Sequence, residues 1–139
     1  MIRLTRRYRF AALHRLAAPH FSEEENRAVY GKCANPHGHG HDYVLEVSVR
    51  GPVDRTTGRV TDVAALDRLV EARILARVRH RDLNREARDI AGDPPTTENL
   101  ATGIRKALLE AWPEAFPAAS VKLDGVRLKE TRRNFFELT

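Results

Sequence analysis

The stretch Tyr43-Val44-Leu45-Glu46-Val47-Ser48-Val49-Arg50 sets Tyr43, Leu45, Val47 and Val49 on one side of an extended chain and Glu46, Ser48 and Arg50 on the other. A period of two with a β-branched apolar face reads as a strand, packed on one side and polar on the other. Immediately ahead of it runs Gly31-Lys32-Cys33-Ala34-Asn35-Pro36-His37-Gly38-His39-Gly40-His41-Asp42. His39 and His41 are two residues apart, so in extended chain both imidazoles point the same way and can reach one ion. Imidazole favours zinc among the common biological metals, although copper, nickel and iron also accept it. Cys33 adds a thiol to the same run, and a third protein ligand is still required.

Working outward toward the N-terminus, residues 2 to 14 form a second strand pattern in which Tyr8, Phe10, Ala12 and His14 share a face, with His14 at its end. Residues 15 to 42 lack sustained periodicity and are broken by prolines and glycines, which predicts a long functional loop. In the other direction, Thr57-Gly58 marks a turn and Asp62 is a good N-cap. Val63, Leu66, Leu69, Val70, Ile74 and Val78 then recur at helical spacing and predict a helix from about Val63 to Val78, with His80 just past its end. Residues 81 to 95 are polar, close on Asp93-Pro94-Pro95 and read as a loop. Thr96 or Thr97 can cap a second helix carrying Leu100, Ile104, Leu108 and Ala111, stopped at Trp112-Pro113. The stretch Val121 to Glu130 is β-like, with a slip of apolar parity at Asp124-Gly125 that predicts a bulge or tight turn. After a turn at residues 131 to 134, Phe135 to Leu138 is a last short strand. The order is two strands, two helices, two strands: an α+β chain without internal repeats or linkers.

Composition limits what such a fold can serve. A chain of 139 residues with 42% apolar and 31% charged content suits a single domain, residues 1 to 139, with its own core. One cysteine cannot form an internal disulfide, which fits a reducing, cytoplasmic setting and leaves the thiol free. Arg3, Arg6, Arg7, Arg9 and Arg15, with no acid before Glu23, resemble a transit peptide in composition. The only apolar run there, Phe10 to Leu13, is too short for a secretory core or a membrane span, so the segment is expected to belong to the fold. The net charge of +5 is scattered, and no zinc-finger, helix-turn-helix or aromatic RNA-binding signature accompanies it, which argues against a nucleic-acid partner. The basic residues form either a solvated surface or a set of converging side chains for a small polyanion such as a triphosphate.

Four segments, Phe10-Ala11-Ala12-Leu13-His14-Arg15-Leu16, Glu25-Asn26 to Tyr43, Thr96-Thr97-Glu98-Asn99-Leu100 and Lys129-Glu130-Thr131, carry a resemblance to the 6-pyruvoyltetrahydropterin synthase family and its relative, the 6-carboxytetrahydropterin synthases of queuosine biosynthesis. It runs nearly end to end. It implies a tunnelling fold: ββααββ subunits with two helices on one face of an antiparallel sheet, joined as trimers into a barrel and stacked as hexamers, with active sites between subunits. It implies Zn2+ as cofactor and a pterin triphosphate as substrate.

Residue by residue, His14, His39 and His41 match the family's zinc ligands, and His14 supplies the third that the histidine pair lacks. Taken alone, His14 would read as a satisfied, partly buried histidine. Cys33 matches the catalytic cysteine, a thiolate base. Its bland alternative is a small buried hydrophobe, and direct zinc ligation by the same thiolate also stands. His80 matches the second catalytic group. Here the chain departs from the pattern: Arg79 precedes His80 where family members usually carry an aspartate, and an adjacent cation disfavours imidazolium. Glu130 matches the pterin anchor, since a carboxylate accepts two parallel N–H donors together. Glu98 falls in the Thr-Thr-Glu-Asn position and serves either the same pocket or its own helix N-terminus. His20 and His37 are expected to be solvated. The implied activity is a lyase on 7,8-dihydroneopterin triphosphate giving 6-pyruvoyltetrahydropterin. The five-residue gap between Cys33 and His39 favours this over 6-carboxytetrahydropterin formation, and a non-catalytic pterin-binding homologue is the third possibility.

Overall fold

In the computed structural model, which describes residues 1 to 139, the alternating stretch lies within strand β2, His39–Gly51. β2 pairs antiparallel with β1, Ile2–His14, in a register that runs from Ile2↔Gly51 to His14↔His39. Its other edge pairs with β3, Lys122–Lys129, and β3 with β4, Phe135–Leu138, giving an antiparallel sheet in the order β1-β2-β3-β4. The parity slip is a bulge: Ser48 faces Gly125 and Val49 faces Leu123, so Asp124 is the extra residue. β2 begins at His39 rather than Tyr43, because the histidine pair is drawn into the ladder against the end of β1.

One face of the sheet is covered by helices. Helix α2, Val63–Val70, passes through a wide π-helical turn, Glu71–Leu75, into α3, Ala76–Val78. Leu66, Val70, Ile74 and Val78 are fully buried at strict four-residue spacing. Such a repeat drifts by about 40° per step around a straight α-helix, and a wider turn takes up that drift so that all four face the sheet. Helix α6, Thr97–Ala115, buries Leu100, Ile104 and Leu108 against Leu45, Val47 and Val49 in the common core. Each such side chain removed from water contributes roughly 1.5–3 kcal/mol. No helix is long and apolar enough to cross a membrane.

Three expectations are corrected. Residues 15 to 42 are not one loop: they contain α1, Glu23–Tyr30, and a 3-10 turn, Gly31–Ala34. α1 is held by a capping box, Ser22 Oγ accepting from the Glu25 amide and the Glu25 carboxylate from the Ser22 amide. It buries only Asn26, so it carries no apolar stripe to betray it. The polar stretch 81 to 95 holds two single-turn helices, α4, Leu83–Glu86, and α5, Arg88–Ala91. Finally, α6 runs through Pro113 to Ala115. A proline near a helix end costs one backbone bond, and the last turn is still closed by the Phe116 amide donating to the Trp112 carbonyl at 2.8 Å.

Candidate metal and active site

The β1–β2 register places His14 opposite His39 and Ala12 opposite His41, on the same sheet face as Tyr43. Gly38, at φ 82°, makes the turn into this segment; a Cβ there would lie 3.0 Å from the Leu13 side chain. His14 is 1% exposed. Its Nδ1 lies 3.0 Å from the Pro95 carbonyl, which can only accept, so Nδ1 carries the proton and the Nε2 lone pair points inward. That Nε2 has no hydrogen-bond partner. Burial first, and then the neighbouring charge of His41, hold the His14 pKa below the usual histidine value. A buried, unprotonated nitrogen without a donor is costly unless a cation fills the space before it.

Three further groups converge there. His41 Nε2 lies 3.0 Å from Glu130 Oε1 and 3.7 Å from Cys33 Sγ, while the same Glu130 oxygen is 3.6 Å from His14 Nε2. The ligand atoms of His14, Cys33, His41 and Glu130 all lie within 4.8 Å of one another. Two imidazole nitrogens, a thiol and a carboxylate are a donor set suited to zinc. His39 is outside this group but adjacent to it, its ring meeting that of His41 edge-on at 4.5 Å between centroids.

Each member is fixed by a different element. Cys33 sits in the 3-10 turn, and its carbonyl accepts from the Leu16 amide at 2.6 Å, which docks that turn on the segment leaving β1. Glu130 directly follows β3, and its second oxygen accepts from the buried Thr97 hydroxyl at 2.8 Å. The hydrogen bond from His41, with that from Thr97 adding to it, holds the Glu130 carboxyl below its ordinary pKa despite partial burial. The Cys33 thiol is pushed up, by burial first and then by Glu130. A thiolate at Cys33 therefore needs a cation beside it.

The remaining predicted residues lie elsewhere. Glu98 is exposed on the first turn of α6, and it is its neighbour Thr97 that reaches Glu130. Thr96 is the helix cap, which turns Thr97 inward; the tandem threonines hinted at this division without deciding it. The contributions of Thr97, the Pro95 carbonyl and the Tyr43 hydroxyl, 3.3 Å from His14 Nδ1, were not evident in the sequence. His80 is exposed and takes the left-handed conformation, φ 56°, which is unusual for a residue with a side chain. Its amide donates to the Ala11 carbonyl at 2.7 Å and the Arg81 carbonyl accepts from Leu13, so residues 80 to 82 strap onto the outer edge of β1. His80 lines a cleft of about 550 Å³ with His41, Asp42 and Glu86. Arg79 turns away from it, both its terminal nitrogens lying 2.9 Å from the Glu71 oxygens. His20 and His37 are exposed and outside the cluster.

Comparisons agree with this architecture. Residues 3–139 match the family model described as 6-pyruvoyl tetrahydropterin synthase. A 6-pyruvoyl tetrahydrobiopterin synthase of Drosophila melanogaster is 48% identical over 101 residues, 73% of this chain and 60% of that protein, so the chain spans less than two thirds of that relative's length. One from Poecilia reticulata is 40% identical over 94% of this chain and 85% of its own. The structure of Caenorhabditis elegans 6-pyruvoyl tetrahydropterin synthase superposes with a TM-score of 0.84 at 34% identity, covering 99% of this chain and 94% of that one. A 6-carboxy-5,6,7,8-tetrahydropterin synthase of Rickettsia conorii is 26% identical over 99% of the chain and 100% of its own length.

Proposed function

This chain belongs to the 6-pyruvoyl tetrahydropterin synthase family, and on that premise we propose that it is a zinc-dependent lyase that converts 7,8-dihydroneopterin triphosphate to 6-pyruvoyltetrahydropterin with release of triphosphate. The observation that carries this reading is the orphaned Nε2 of His14, aimed at the place where His41, Cys33 and Glu130 converge.

Zinc would be held by His14 and His41, whose nitrogens converge, with the adjacent His39 as the third ligand that the family resemblance implies, a set that leaves a coordination position for substrate. When bound it supplies Lewis-acid polarisation of the substrate's side-chain hydroxyls. Cys33, as thiolate, removes a proton from a side-chain carbon. Glu130, ionised and steadied by Thr97, accepts the pterin amino group and ring N–H. His80 exchanges protons on the other side of the reacting carbons. In a single chain it stands on the outer strap of β1, and the sheet ends in unpaired edges along most of β1 and at β4. Both features support a homo-oligomer, trimers stacking to hexamers, in which neighbouring subunits complete each site. The free cysteine fits a cytoplasmic enzyme.

Identities of 48% and 40% to pyruvoyl-type relatives, against 26% to the carboxy-type one, support the pyruvoyl product. Incubating the pure protein with dihydroneopterin triphosphate and weighing the products tests this. The pyruvoyl product is expected. A carboxy product with acetaldehyde would replace it with 6-carboxytetrahydropterin formation, and tight pterin binding without turnover would leave a non-catalytic homologue.

A further inference from the structure

A second cavity, of about 480 Å³, is lined by His14 itself and by Arg15, His37, Asp82, Asn84 and Arg85. Arg15 is its most informative member. Its amide donates to the Asn84 side-chain oxygen at 2.7 Å and its carbonyl accepts from the Asn84 side-chain nitrogen at 2.8 Å, so one asparagine clamps the backbone at both polar groups. Its Nε donates to the Ala34 carbonyl at 3.3 Å, which fixes one side of the guanidinium. The residue is half-buried, yet no carboxylate pairs with it and the terminal nitrogens make no hydrogen bond within the chain. Other arginines of the molecule are paired, Arg6 with Asp67, Arg77 with Asp89 and Arg79 with Glu71 among them. A half-buried guanidinium held on one side, with its donor fork free, is suited to a bidentate oxyanion.

The rest of the cavity agrees. Arg85 stands at its mouth with an 86% exposed side chain, 3.7 Å from Asp82, the one carboxylate there. That carboxylate is already engaged, accepting from the Asn84 amide at 3.0 Å as the cap of α4. Arg15 follows His14 directly, and Ala34, to which it is tied, follows Cys33. The cavity thus shares His14 with the cluster, while Cys33, His41 and Glu130 do not line it.

We propose that this cavity holds the phosphate chain of the substrate, with Arg15 as the bidentate contact, Arg85 as the outer contact and Asn84 as the residue that positions Arg15. The assignment rests on the reading of the substrate as a triphosphate ester, and it is tested apart from turnover. Calorimetric titration of the purified protein with sodium triphosphate is expected to saturate. Arg15→Gln should weaken binding by roughly tenfold or more, as loss of a charge-assisted pair does. Arg85→Gln, at an exposed position that carries no fold, should weaken it by about threefold to tenfold. Asp82→Asn, which keeps the cap and removes the opposing charge, should tighten it. Arg68→Gln, on the far helix α2, should leave it unchanged. Equal affinity in the Arg15 and Arg85 variants, or an equal loss in Arg68→Gln, overturns the site. With the pterin substrate, Arg85→Gln should raise KM and spare kcat; an unchanged KM also overturns it. Triphosphate binding that depends on Arg15 and Arg85 in a protein that does not turn over the pterin would uphold the site and overturn the substrate reading instead.

Discussion

At the scale of single residues, the cluster is organised around which nitrogen of His14 carries a proton. The Pro95 carbonyl settles that, and the carboxylate of Glu130 is then the group placed to respond to whatever sits between the imidazoles. Replacing it by Glu130→Gln keeps the shape and removes the charge. We expect kcat/KM to fall by about 1.5–3 kcal/mol, on the order of 10- to 150-fold, with the loss mainly in KM if the residue anchors the pterin. Steady-state kinetics on the two variants Glu130→Gln and Thr97→Val should show the same direction, the second smaller. Arg79 poses a separate question. Its charge is met by Glu71 at the helix surface rather than directed at His80. Arg79→Asp is therefore expected to leave Tm within about 2 °C, as for other exposed pairs, and to raise turnover by supplying a carboxylate beside His80. A variant no faster than the parent would show that Arg79 imposes no cost. At this scale the sequence was legible for which residues gather: His14, Cys33, His41 and Glu130 meet, whereas His39, read from its spacing as the partner of His41, stands beside the group rather than in it. It was illegible where the role belongs to a backbone carbonyl such as that of Pro95, which no side-chain pattern encodes, and at Glu98, where which of three neighbouring residues faces inward depends on where α6 starts.

At the scale of elements, contacts between helices and sheet set the tolerances. Gly103 in α6 passes so close to α5 that a Cβ there would lie 1.7 Å from the Ile90 carbonyl. Glycine inside a helix ordinarily costs about 1 kcal/mol, and here the close approach demands it. Gly103→Ala should destabilise by roughly 2–4 kcal/mol, read by urea unfolding, because backbone rather than a flexible side chain must yield. The attachment of α2 to β1 is softer. Arg6 donates twice to Asp67, at 3.1 and 2.7 Å, and the Tyr8 hydroxyl donates to it at 2.7 Å. The Arg6 hydrogen bond is the main reason the Asp67 carboxyl is held below its usual pKa. A carboxylate so depressed stabilises the fold fully above its unfolded value and ceases to do so as pH falls through the folded one. Asp67→Asn should thus lower Tm by about 1–2 °C near neutral pH, given its exposure, and the difference should vanish in acid; a difference that persists there would remove the ion pair from the account. The strands and long helices were readable because burial imposes a period. α1 was not, because it is secured by a capping box and one buried asparagine, whose Oδ1 accepts from the Ala18 amide at 2.8 Å.

At the scale of the whole molecule, a four-stranded sheet covered on one face leaves its other face and its two outer strands open; the alternating pattern announced the apolar inner face, whereas a partner subunit was suggested by family resemblance alone. The candidate metal cluster draws His14 from the end of β1, His41 from β2, Cys33 from the turn between them and Glu130 from beyond β3. Cys33 and His41 are eight residues apart, and His14 lies within the same N-terminal third of the chain; the contacts to Glu130 close most of the chain into a loop. Closing so long a loop carries an entropic penalty that is met only when the strands between are already paired. In a refolding experiment started in the presence of a zinc indicator, tight zinc uptake should therefore lag or coincide with the burial of Trp112, never precede it. Uptake ahead of the fluorescence change would mean that the histidine pair captures the ion by itself. The ion would then be a late witness to folding, and a cell short of it would accumulate chains that are folded in all but this corner.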